Sequence, residues 1–211
     1  MIVKISNRSL NRESLVNKSY DSTYFSSFKI KTPIVYTSKV LIDPKIEKKF
    51  QKDWKKFYSK EENELSDTRE KSLLRFMDKL EEEGNDGFTR NWVSICYIGK
   101  DMGYGVFAKQ DLPPYKALIH YAGVLKLDKS IKDTNDSTFV FTNFTKYAID
   151  GASKGNWARF MNHADEKQPE KNVIPWELYL EEGPRIVFTT GSKGVKKGKQ
   201  LLYSYGDSYW D

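Results

Sequence analysis

From Phe88 to Asp211 the sequence never sustains an apolar period long enough for an ordinary helix. Runs rich in β-branched and aromatic residues, at Trp92–Ile98, Ala117–Tyr121, Thr138–Phe144, Leu178–Leu180 and Arg185–Thr190, alternate instead with Gly, Pro, Asn and Asp. Each run suffices for one strand and each interruption supplies turn chemistry, so this half of the chain is expected to form several small sheets. Gly155–Phe160 is the place in it for a short helix. No internal repeat is present.

Residues 44–84 behave differently. Ile46, Phe50, Trp54 and Phe57 recur at helical spacing among lysines and predict an amphipathic helix. Ser59 with Glu62, and Asp67 with Glu70, have the spacing of capping boxes. Leu73, Met77 and Leu80 continue the pattern toward Gly84, a C-terminal stop. These helices either pack on the domain that follows or help to choose its substrate. Ahead of them, Phe28–Ile42 offers one strand before Pro33 and another after it, and the first 25 residues are expected to lack stable structure of their own. The expected division is an N-terminal extension over 1–87 and a β-rich domain over 88–211.

At 211 residues, with 38% hydrophobic residues but 12 Phe, 13 Tyr and 5 Trp, the chain can build one packed core and keep tyrosines for other uses. The lone Cys96 excludes an internal disulfide and any cysteine zinc cluster, and two histidines leave little for a metal site. No apolar run has the length of a membrane span and no secretory core opens the chain, so a soluble protein is expected. The net charge of +6 is unevenly placed, and residues 1–42 carry 7 Lys/Arg against 2 Asp/Glu. That basic arm fits either an acidic partner or plain solvation.

Four short motifs carry the chemistry. GYGVFA (Gly103–Ala108) has two glycines that can approach a ligand, take positive φ or simply turn. It lacks the GxGxxG spacing of a dinucleotide fingerprint. HYAG spans His120–Gly123. ARFMNH (Ala158–His163) sets Asn162 beside His163; a buried Asn can hold a charged amino-acid headgroup while bonding nearby backbone. His163 is a candidate base, but no Ser, Cys or acid stands at telling spacing, which favours a structural or ligand-binding histidine. In LLYSYG (Leu201–Gly206), alternation puts Tyr203 and Tyr205 on one strand face, as core or as the wall of a site.

In this order, the set resembles the SET-domain family of protein lysine methyltransferases, which use S-adenosylmethionine. GYGVFA is similar to the family's first motif, ARFMNH with the later Asn172 to its RFxNH segment, and Val195–Gly206 to its last turn and catalytic strand. The resemblance covers about residues 90–211. It implies a mostly β fold, a clip of small sheets in which the C-terminal segment threads beneath a loop as a pseudoknot. It further implies Tyr205 as catalytic, Tyr121 and Tyr203 lining the target-lysine channel, and Gly103, Tyr104, Gly105, Asn162 and His163 holding the cofactor. Arg159 is expected to stabilise its motif. The family's flanking Glu positions are His120 and Val124, a weakened structural contact, and its Pro before the later Asn is Lys171. With no post-SET zinc cluster, Tyr209 and Trp210 are expected to close the site near the adenine.

The implied reaction suits these residues. An ordinary lysine is ~3 pK units below its pKa at neutral pH, a cost of roughly 4 kcal/mol for the neutral amine. A dry channel and a nearby sulfonium lower that pKa, so no strong base is needed. The implied partner is a protein with a target lysine, a histone among the candidates, met by a monomer without direct nucleic-acid or membrane binding. Tyr203 is expected to limit the product mainly to mono-methylation, with di-methylation left open. Two alternatives stand beside this: an inactive SET-like module that binds a lysine-bearing peptide, and a basic nucleic-acid binder. Against the second, the aromatics are not interleaved with Lys/Arg along the sequence. The Lys/Asn/Ile-rich composition fits an AT-rich genome, and hence a cytoplasmic protein or a bacterial effector secreted into a host and acting in its nucleus.

Overall fold

Turn residues divide the chain into strands of eight residues or fewer, and the sheets they form are correspondingly small. The computed structural model describes residues 2–5, 34–59, 72–73, 75–76, 89, 91–100, 103–131, 138–140, 144 and 146–206. The β4 strand (Val93–Gly99) and β5 (Gly103–Ala108) make an antiparallel pair. Alternation sends Val93, Ile95, Val106 and Ala108 into the core.

One four-stranded sheet runs β1 (Ile2–Ile5), β12 (Val173–Leu180), β13 (Gly183–Thr190), β6 (Ala117–His120). Of the first 25 residues, only Ile2–Ile5 are described, and they form a strand by pairing with another part of the chain. This strand borrows the open edge of β12 in parallel register. A second sheet runs β3 (Val40–Ile42), β7 (Gly123–Leu127), β9 (Tyr147–Asp150), β8 (Thr138–Val140). Gly123 is required there: a Cβ at this position would lie 2.6 Å from the main-chain oxygen of Asp150 on β9. Two parallel two-stranded pairs complete the set, β2 (Val35–Tyr36) with β10 (Lys154–Gly155), and β11 (Asn162–His163) with β14 (Leu202–Tyr203). Both β2 and β3 follow Pro33; the strand expected before it lies outside the described residues.

The stripe in residues 46–57 becomes α1 (Glu47–Tyr58), preceded by Ile46 without a side-chain cap. Phe50 and Trp54 are buried in the same core as Ile95, Val106 and Phe188. Trp54 stacks against Phe57 and meets Phe144 edge-on at 5.1 Å, and its Nε1 donates to the carbonyls of Leu180 and Glu181. Burial of each such side chain contributes about 1.5–3 kcal/mol. The helix therefore packs onto the sheets. Of the second helical stretch, Leu73 is buried in a satellite core with Trp176, Leu178, Leu180 and Val187. Glu62, Asp67, Glu70, Met77, Leu80 and Gly84 lie outside the described residues. Among the described residues no helix is long and apolar enough to cross a membrane.

Candidate active site

The short helix anticipated at Gly155–Phe160 is a 3-10 turn, Trp157–Phe160, and its start explains much of the site. Asn156 caps it: Oδ1 accepts from Ala158 N at 3.1 Å while Nδ2 donates to the His120 carbonyl at 2.8 Å. One buried carboxamide thus ties HYAG to ARFMNH. Sequence reasoning passed over Asn156, although an Asn directly before an apolar turn is a capping signal.

Beyond the turn, β11 lies parallel to β14, with Asn162 opposite Leu202 and His163 opposite Tyr203. Leu201 N donates to Val106 O, so the C-terminal segment also lies beside GYGVFA. The loop after β11 is fastened to that segment at both ends. Ala164 N donates to Tyr203 O, and Asn172 N to Leu202 O. Asn172 adds a side-chain clasp, with Nδ2 donating to Gln200 O at 2.8 Å and Oδ1 accepting from Leu202 N at 3.1 Å. This loop across a C-terminal strand has the connectivity of the anticipated pseudoknot.

The candidate cofactor residues come together here. Asn162 Nδ2 donates to Tyr104 O at 3.1 Å, joining ARFMNH to the first glycine motif. Gly103 takes φ +63°, the left-handed region that favours glycine, with open space where a Cβ would stand. Gly105 faces the Gln200 side chain, so its closeness serves packing within the chain. The Tyr104 ring meets Phe160 and Tyr97 edge-on. Tyr209 and Trp210 lie outside the described residues.

His163 has the acidic neighbour that the sequence reading did not find. Its Nε2 is 2.9 Å from Asp165 Oδ1, and its Nδ1 accepts from Tyr205 N at 3.1 Å. The pattern fits a neutral ring protonated at Nε2, with both nitrogens engaged in fixing the chain before Gly206. An i to i+2 pair across a strand end is not a spacing that signals an acid–base couple, which is why Asp165 was missed.

Tyr205 is half-buried, and its phenol donates to Met161 O at 2.8 Å. The Tyr203 ring lies 4.8 Å from that of Tyr205 and 4.9 Å from Phe188, and stacks with Phe139 at 6.3 Å. Tyr121, almost fully buried, meets Phe139 and Phe188 at 5.9 and 6.3 Å. Tyr121, Tyr203 and Tyr205 thus belong to one aromatic cluster, together with Phe139 and Phe188; no motif marked those two. Arg159 sits 4.8 Å from the Phe160 ring, and burial pulls its pKa down while Tyr121 and Asp150 oppose the shift. In place of a flanking acid, buried His120 bonds the Ser38 carbonyl through Nε2 and so pins the segment between β2 and β3. Val124 pairs with Leu41 and Asp150 within its sheet.

Residues 103–206 match the family model described as SET domain. The chain is 32% identical over 123 residues to histone-lysine N-methyltransferase EHMT1 of Homo sapiens, covering 54% of this chain and 9% of that protein. It is 30% identical over 142 residues to histone-lysine N-methyltransferase EZH2 of Chaetomium thermophilum, covering 59% and 9%. The chain therefore spans about a tenth of the length of these relatives. Among solved structures, a humanized mutant of Chaetomium thermophilum Polycomb Repressive Complex 2 bound to an inhibitor aligns with TM-score 0.48 at 28% identity, covering 56% of this chain and 15% of that one.

Proposed function

Residues 103–206 are a SET domain, and from that premise we propose that the chain transfers a methyl group from S-adenosylmethionine to the side-chain amine of a protein lysine. The observation that carries the proposal is the clasp around Met161–His163. Tyr205 bonds the Met161 carbonyl, Asn162 bonds Tyr104, and His163 holds the Tyr205 amide. Side-chain and main-chain groups from three separated motifs thereby meet on three consecutive residues.

The donor set fits the cofactor. Asn162 gives one N–H to Tyr104 and keeps Oδ1 and its second N–H for a zwitterionic headgroup. Open space at Gly103 leaves room for a ligand against the backbone. When bound, S-adenosylmethionine supplies an electrophilic methyl on a positively charged sulfur. The chain's own residues supply position and environment. Tyr121, Tyr203, Phe139 and Phe188 form apolar walls that exclude water from an approaching lysine, which favours its neutral, nucleophilic form. Tyrosine faces also tolerate the amine while it is still a cation. The Tyr205 phenol, fixed by Met161, sets the geometry of attack, and alignment of this kind is worth up to about 7–11 kcal/mol.

We take residues 88–211 as the catalytic unit and 1–87 as an extension whose α1 joins the same core through Phe50 and Trp54. A histone is the proposed substrate, since both relatives are histone-lysine N-methyltransferases. The test is incubation with labelled S-adenosylmethionine and a panel of histones and histone peptides, read by mass spectrometry. Methyl-lysine in the product is the expected result. Cofactor binding without any transfer to the panel would reduce the chain to a binding module.

A further inference from the structure

Residues 109–116 and 191–200 hold six lysines against the single acid Asp111, a formal +5 in a chain whose total is +6. The fold sets these two segments side by side. Leu112 and Val195 exchange both main-chain hydrogen bonds in an isolated antiparallel bridge, and Gly198 N donates to Ala108 O. Lys109, Lys193, Lys197 and Lys199 are exposed, and none is in an ion pair among the described residues, while Lys196 pairs with Asp111 at 2.8 Å. A shallow cleft lined by Leu112, Pro113, Pro114 and Lys193 runs between the segments.

Two aromatic rings stand in this field of lysines. Tyr115 is 47% exposed and has φ +55°, the one non-glycine residue with positive φ among those described. Its neighbours impose that conformation. Pro113 and Pro114 precede it, and the buried Thr190 hydroxyl donates to Pro113 O at 2.6 Å and accepts from Lys116 N at 2.8 Å. Tyr115 N in turn donates to Gly191 O. A backbone held in a sparsely populated region by its surroundings points to a use for the side chain it presents. Trp92 is the second ring: the Lys116 ammonium lies 4.6 Å over it, and its carbonyl accepts from Lys109 N.

We propose that this face binds single-stranded nucleic acid, with lysines on the phosphates and the Tyr115 ring stacked on a base. Along the sequence Trp92 and Tyr115 stand far from Lys193–Lys199; folding interleaves aromatic and basic groups, as a stacking groove needs. An acidic peptide would use the lysines but gives no reason for a rigidly presented ring. A duplex keeps its base faces covered. The surface is built from residues apart from the Tyr205 site, so it stands whether or not the methyltransferase reading holds.

The test is fluorescence anisotropy of the full chain with a labelled oligothymidylate of about 12 nucleotides, within the span of known single-strand sites. The same strand in a duplex and a polyglutamate peptide are run in parallel. Replacing Lys109, Lys193, Lys197 and Lys199 with Gln should weaken single-strand binding at least ~10-fold and lower the log–log salt slope by about 3. Replacing the exposed helix lysines Lys48, Lys52, Lys55 and Lys56 with Gln should leave both unchanged. Tyr115→Gly suits the left-handed backbone and so keeps the fold, yet should cost about 5-fold or more in affinity. Equal binding of duplex or polyglutamate, or equal loss from the helix variant, would overturn the assignment.

Discussion

The phenol of Tyr205 donates a 2.8 Å hydrogen bond to the carbonyl of Met161, the residue directly before Asn162. The proposed catalytic oxygen and the proposed cofactor amide are thus fixed on adjoining peptide units.

Tyr205→Phe removes that bond while preserving the ring packed against Tyr203 and His163. Turnover should fall about 100-fold or more, the scale for losing one preorganised polar group at a reacting centre. Cofactor affinity by calorimetry should stay within a few-fold. Unchanged turnover would remove Tyr205 from the chemistry.

Tyr203→Phe keeps the contacts to Phe139 and Phe188 but deletes a hydroxyl from the wall. More room at the amine should shift products from mono- toward di- and tri-methyl-lysine in mass spectra. An unaltered product ladder would show that this oxygen does not limit methylation.

Asn172→Ala breaks both halves of the clasp on Gln200 and Leu202. At about 1 kcal/mol for each net hydrogen bond, the chain should lose roughly 2 kcal/mol. The melting temperature should drop by roughly 4–8 °C. Scanning calorimetry checks this, and an unshifted transition would mean the loop does not depend on Asn172.

Asp53 accepts from Lys146 and from the Tyr147 hydroxyl. The Lys146 bond first, then the Tyr147 bond, hold its carboxyl below the usual carboxylate range. A depressed folded-state pKa contributes stability that is fully present above the unfolded value of ~3.9 and fades as pH falls through the folded one. Asp53→Asn should therefore lower denaturation midpoints at pH 6 and flatten their decline between pH 5 and pH 3. An equally steep acid decline in the variant would show that this carboxylate is not linked to folding.

Local pattern made α1, β13, the last three residues of β12 and the ARFMNH turn legible, because spacing along the chain decides which side chains share a face. That Tyr121, Tyr203 and Tyr205 stand near one another was expected from the motifs as an ordered set. What escaped were partners fixed only by distant backbone. The Ser38 carbonyl lies against His120 across 82 positions, and Asn156 reaches the His120 carbonyl across 36. Phe139 and Phe188 carry no motif, and become wall residues only once β8 and β13 bring them to Tyr121 and Tyr203. Ile2–Ile5 reads as a polar arm's start until the edge of β12 is known to be available.

The bonds from residues 201–203 to Val106, Ala164 and Asn172 set an order of events in synthesis. A growing polypeptide that has not yet released residue 206 from the ribosome can pair β4 with β5 and dock α1, but has nothing to lay beneath the 164–172 loop. Asn162 and His163 therefore reach their final setting only once residues 202–205 have joined them, later than the pairing of β4 with β5.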